Sequence, residues 1–132
     1  MGRRRLKAVL LDTHAWAWSL MGDDRLSEKA RTAMMQAETI LVSPISFFEI
    51  GQKVRLGKWP EMVPFINQLP SLLDEQGGRI ANLDPQICLT AAITPWTHRD
   101  PFDRMLAATA AHYDVPLVSA DLLFDGLITR IW

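Results

Sequence analysis

Residues 7–20 read KAVLLDTHAWAWSL. The apolar run AVLL stops at Asp12, and apolar residues then recur at the spacing of a helix packed along one side, which predicts a strand followed by a helix. The same succession returns downstream. SEKARTAMMQAE (27–38), with Ser27 placed to cap, predicts a helix, and the β-branched TILVS (39–43) predicts a strand. SFFEIGQKVRLGK (46–58) predicts a helix that opens with a capping box from Ser46 to Glu49 and ends near Gly57 and Pro60. EMVPFINQLPSLLDEQ (61–76) is apolar at helical spacing but interrupted by Pro64 and Pro70, giving two short helices with a turn between them.

GRIANL (78–83) predicts a third strand, and DPQICLTAAI (84–93) a helix with Asp84 as cap and Pro85 at its first position. DPFDRMLAATAAHYD repeats that start from Asp100 and Pro101, and VPLVSAD (115–121) and LITRIW (127–132) supply the last two strands. Strand and helix alternate throughout, so the expected fold class is α/β, a parallel sheet with helices on both faces. The pattern leaves the strand order open.

A chain of 132 residues is expected to form one domain, residues 1–132. An apolar fraction of 48% with 22% charged residues is ordinary for a soluble globule. No apolar run approaches the ~20 residues that span a bilayer. The basic start MGRRRLK is followed by too short an apolar run for a secretory signal, so a cytoplasmic location is expected, with Arg3, Arg4 and Arg5 read as a solvated tail. The single cysteine, Cys88, excludes an internal disulfide, and its apolar neighbours in ICLTAAI predict a buried packing residue. Net charge is −1; four of the 15 acids drawn into one site would leave 11 against 14 bases, a surface compatible with a phosphate-bearing substrate.

In open α/β sheets ligands gather beyond the carboxyl ends of the strands. Asp12 and Asp121 end apolar strands, Glu49 falls in the first turn of the helix after the second strand, and Asp103 in the first turn of another. Each alone can be read as a helix cap or a dipole partner. Together, with no His or Cys cluster beside them, they suit a hard cation, Mg²⁺ or Mn²⁺, held for attack on a phosphodiester. Asp100 is read as the N-cap before Pro101.

The segments LLDTHAWAW, SPISFFEIGQKVRLGKW, HRDPFDRMLAATA and LVSAD, in this order and spacing, resemble the PIN-domain ribonucleases of the VapC type, toxins of bacterial toxin–antitoxin pairs. The resemblance runs from about Lys7 to the C-terminus. It implies a three-layer α/β/α sandwich around a short parallel sheet, RNA cleavage with Mg²⁺ or Mn²⁺, a homodimer and silencing by a cognate antitoxin. The family's four acids fall on Asp12, Glu49, Asp103 and Asp121, as metal-holding catalytic residues, with Asp125 close enough to compete for the fourth place.

Thr13, His98, Arg99 and Arg104 are the candidate substrate contacts: a hydroxyl beside Asp12, and basic groups around the acid pair that can meet an RNA backbone. For Arg99 and Arg104 a salt bridge to a neighbouring acid competes with that role. His14 and His112 are read as surface or packing residues, and the five tryptophans as core or interface rather than base-stacking groups. Two other functions share the acidic pattern, a housekeeping nuclease of the same fold and a non-catalytic binding module that keeps the pocket. A phospho-acceptor module would need a lysine at the end of the last strand, where the chain has Arg130.

Overall fold

A computed structural model describes residues 6–132; the arginines at positions 3–5 lie outside the described residues. Five strands, β1 (Ala8–Leu11), β2 (Thr39–Val42), β3 (Arg79–Ile80), β4 (Leu117–Val118) and β5 (Arg130–Ile131), form one parallel sheet in the order β3-β2-β1-β4-β5. The central β1 pairs Val9 with Ile40 and Leu10 with Leu41 on one side, and Leu10 with Leu117 on the other. A parallel strand covered on both faces needs apolar side chains in both directions, which explains an AVLL run without polar alternation.

The helices are α1 (Thr13–Met21), α2 (Glu28–Gln36), α3 (Pro44–Arg55), α4 (Leu69–Glu75), α5 (Pro85–Ile93) and α6 (Pro101–Tyr113), with 3-10 segments at Pro60–Gln68 and Leu122–Phe124. Val9 and Leu11 pack with Trp16, Ala30, Ile50 and Met62 on one face of the sheet. Leu10 points the other way, onto Leu106, Ala107 and Ala110 of α6. The alternation of one strand therefore separates two helical layers, giving the expected three-layer sandwich. Ala108 of α6 meets Ile87 and Ala91 of α5, and small side chains allow these two helices to approach closely. Among the described residues no helix is long and apolar enough to cross a membrane.

Local signals held where they were self-contained. Ser27, Asp84 and Asp100 cap their helices through bonds accepted from the amides of Ala30, Ile87 and Phe102. Three expectations fail. The third helix starts earlier, at Pro44, capped by Ser43; Ser46 is buried within it and Glu49 moves to the second turn, so the capping box does not form. The acid-terminated strand at 115–121 shrinks to Leu117–Val118, placing Asp121 at the cap of the short 3-10 segment. Cys88 is exposed on α5, because Ile87 and Ala91 take the inward face of that helix.

Successive connections run outward from β1 to β2 and β3, then return to lay β4 on the opposite side of β1. The crevice between the carboxyl ends of β1 and β4 is thus the switch point of the sheet, where open α/β folds bind ligands.

Candidate metal centre

Asp12 follows β1 and caps α1, its Oδ1 accepting from the Ala15 amide at 2.8 Å. Across the switch point, the fully buried Ser119 follows β4; its hydroxyl oxygen accepts from the Asp121 amide at 3.0 Å, and the same hydroxyl favours the charged form of Asp12. One serine so links two of the expected acids. Glu49 projects from the second turn of α3 and pairs with Lys53, one turn on, at 3.1 Å. Asp103 lies in the first turn of α6, where His98 Nε2 meets its Oδ2 at 2.7 Å. Asp12, Glu49, Asp103 and Asp121 all line one open cavity of about 640 Å³.

Within that cavity wall the donors are not equally close. His98, Asp100 and Asp103 each offer an atom within 4.8 Å of the others, the spacing of ligands around one cation. Asp103 is the only one of the four expected acids in this group. Asp100 keeps its role as N-cap, accepting from the Phe102 amide at 2.9 Å, and its carboxylate is also part of the cluster. Its three-residue spacing from Asp103 at a helix start was the available signal, since residues i and i+3 share a helix face.

The acids strain one another electrostatically. Burial pushes the Asp12 carboxyl up to about 6, against the Ser119 hydroxyl and the Ala15 amide, which favour its charged form; Asp103 and Glu49 raise it further. Burial also raises Asp103, partly opposed by the bond from His98, with Asp100 and Glu49 adding to the rise. Carboxylates crowded out of water are stabilised by a positive partner. Oxygen donors with one imidazole suit Mg²⁺ or Mn²⁺, so the residues present fit the expected ion.

The expected substrate contacts divide. Thr13 lines the cavity, but it is buried and its hydroxyl donates to Ser46 Oγ at 2.9 Å, tying the start of α1 to α3. Arg104 is likewise committed inward. Its Nε donates to the Ala91 carbonyl at 2.8 Å, its Nη1 to those of Trp96 and His98 at 2.9 and 2.8 Å, and its Nη2 to those of Thr94 and Ala92. A guanidinium so occupied makes no salt bridge among the described residues and shapes the loop that carries His98. Arg99 lines a separate small pocket beside Cys88 and Met105. His98 alone of the four sits in the acidic cluster.

Asp125 accepts from Arg130 Nε and Nη2 at 2.7 and 3.2 Å, and the cavity is lined by Asp121 in its place. Trp16 and Trp59 are buried in the core. His14, expected to be a surface or packing residue, is exposed and lines the cavity, its ring 5.5 Å from that of Trp18 and 4.9 Å from that of Trp59.

The chain is similar in sequence and in fold to known proteins. Ribonuclease VapC22 of Mycobacterium tuberculosis is 30% identical over 117 residues, covering 88% of both chains. Among solved structures, VapBC2 from Rickettsia felis, bound to a DNA fragment from their promoter, superposes with a TM-score of 0.66 at 13% identity, covering 93% of this chain and 96% of that one. FitAcB from Neisseria gonorrhoeae gives a TM-score of 0.60 at 22% identity, covering 92% and 95%. The PIN domain family model matches residues 9–127, from the middle of β1 past the last acid of the cavity, and the chain belongs to the PIN-domain family.

Proposed function

We propose that this chain is a metal-dependent endoribonuclease that hydrolyses RNA phosphodiester bonds and acts as the toxin of a toxin–antitoxin pair. The observation that carries the reading is that Asp12, Glu49, Asp103 and Asp121 line one cavity at the switch point of the sheet. The 30% identity to a ribonuclease supports the activity. In this reading His98, Asp100 and Asp103 form the tight donor group for Mg²⁺ or Mn²⁺, with Asp12 beside them and Glu49 and Asp121 completing the acidic wall.

When bound, a divalent cation supplies Lewis-acid activation of water and offsets charge at the attacked phosphate. The chain's own residues do the positioning. Ser119 and the start of α1 fix the Asp12 carboxylate, His98 fixes Asp103, and Lys53 balances Glu49. The open form of the cavity admits a polymer from solvent. RNA as substrate, an antitoxin protein as partner and a homodimer as the assembled state belong to the same reading.

The test is cleavage of RNA by the purified chain with Mn²⁺. Asp12→Asn and Asp103→Asn should each lose most of the activity while keeping the fold, since asparagine caps α1 about as well as aspartate and Asp103 makes no capping bond to α6. Undiminished cleavage in both variants would overturn the assignment. Calorimetry showing no Mn²⁺ uptake at millimolar concentration would instead favour a binding module that retains the pocket.

A further inference from the structure

The acidic cavity has a second, aromatic wall. His14 stands one residue beyond the buried Thr13, with its ring exposed to the cavity and its position fixed by Trp18 and Trp59, whose centroids lie 5.5 and 4.9 Å away. Trp18 lines the cavity too, with the guanidinium of Arg25 5.2 Å from its ring centroid and Trp132 packed against it at 5.7 Å. Trp59, behind His14, also carries the Lys53 ammonium 5.3 Å from its centroid. His14 and Lys53 are therefore neighbours through one indole. Among the described residues, Lys53 is the one lysine or arginine lining this cavity, against five carboxylates.

That imbalance sets a problem for any polyanion. A phosphate entering here meets carboxylates first, and the one ammonium is already paired with Glu49 at 3.1 Å. A bound divalent cation would offset part of that repulsion, and a contact that does not depend on charge would add affinity beyond it. A flat ring, exposed at the cavity and tilted against two indoles at 52° and 33°, offers stacking, which is available to every unpaired base and to none held inside a duplex. A cavity of about 640 Å³ is within the range of roughly 300–1,000 Å³ that holds a ligand of nucleotide size.

We infer that His14, held by Trp18 and Trp59, is a stacking platform for an unpaired nucleobase next to the attacked phosphate, with Lys53 beside it facing the adjoining backbone. The inference rests on the ribonuclease reading and adds to it a base contact at a named residue. It also gives the aromatic cluster at the start of α1 a role in binding in addition to packing.

The experiment measures fluorescence anisotropy of a labelled single-stranded oligouridylate, and of an abasic ribose-phosphate chain of equal length, on the Asp12→Asn background, where binding is read without cleavage. His14→Ala should weaken oligouridylate binding by about tenfold and leave abasic binding unchanged, whereas His14→Phe, which keeps a flat face, should restore it. Equal affinity for the two probes, or no effect of His14→Ala, overturns the platform. Failure of His14→Phe to rescue, with near-ultraviolet circular dichroism unaltered, also overturns stacking. Base-dependent binding by a wild-type chain that cuts no RNA with Mn²⁺ would retain the platform and reject the nuclease.

Discussion

His98 and Asp103 are joined by a 2.7 Å hydrogen bond across the turn that opens α6. The imidazole is fixed in turn by its surroundings: its ring lies 5.1 Å from that of Trp96, and its own carbonyl accepts from Arg104 at 2.8 Å. Partners that orient a ligating carboxylate commonly contribute ten- to hundredfold to metal affinity. His98→Ala should therefore weaken Mn²⁺ binding by roughly that factor, measured by isothermal titration calorimetry. Wild-type affinity in the variant would reduce the pair to a brace for the helix start.

The raised Asp12 carboxyl makes stability depend on pH in a defined direction. It titrates at about 6 in the folded chain against 3.8 for the free group, so between those values the folded state holds the extra proton. Its contribution is full below about pH 4 and is lost as pH rises through about 6. Burial acts on Asp103 in the same direction. Without metal, the wild type should lose stability from pH 4 to pH 7, and Asp12→Asn should flatten that fall, gaining on the order of 2 kcal/mol at pH 7. Urea unfolding in chelator across this range measures it; parallel curves for the two proteins would contradict it.

Arg104 spends its guanidinium on five backbone carbonyls between Ala91 and His98. These acceptors lose a charged, forked donor if it is removed, and hydrogen bonds of that kind contribute about 1.5–3 kcal/mol each before relaxation and water replace part of the loss. Arg104→Ala should cost roughly 2–4 kcal/mol in urea unfolding. Arg104→Lys should recover little, since an ammonium cannot span the fork. A lysine variant as stable as wild type would mean that charge alone suffices.

Asp121 and Asp125 lie four residues apart, yet Asp121 faces the cavity while Asp125 is paired with Arg130. Asp121→Asn should reduce Mn²⁺-dependent RNA cleavage, and Asp125→Asn should leave it close to wild type. Asp125 is held below the usual carboxylate range by its hydrogen bonds from Arg130, but its side chain is exposed and Arg130 keeps its bond to the Ser119 carbonyl, so losing the Asp125 charge should scarcely change stability. The opposite order of activity losses would assign the fourth acid to Asp125.

Sequence alone determined the features that depend on near neighbours. Asp84 before Pro85 and Asp100 before Pro101 fix helix starts through a side chain and the amide two or three residues on, and AVLL ending at Asp12 marks a buried strand meeting a helix. Tertiary structure decided whatever depends on a distant partner. Ser46 looked like a cap because SFFE supplies one locally; in the fold Thr13, 33 residues earlier, takes its hydroxyl, and Ser43 starts the helix instead. Arg104 was legible only as a phosphate contact or a salt-bridge partner because its acceptors are carbonyls of the preceding loop, and carbonyls carry no sequence signature. Asp100 was legible as a cap but not as a neighbour of His98, since that distance is set by how the loop folds over Trp96. Short-range hydrogen bonds are written in adjacent residues, whereas the gathering of acids, imidazole and indoles around one crevice exists only once the sheet has put β4 next to β1.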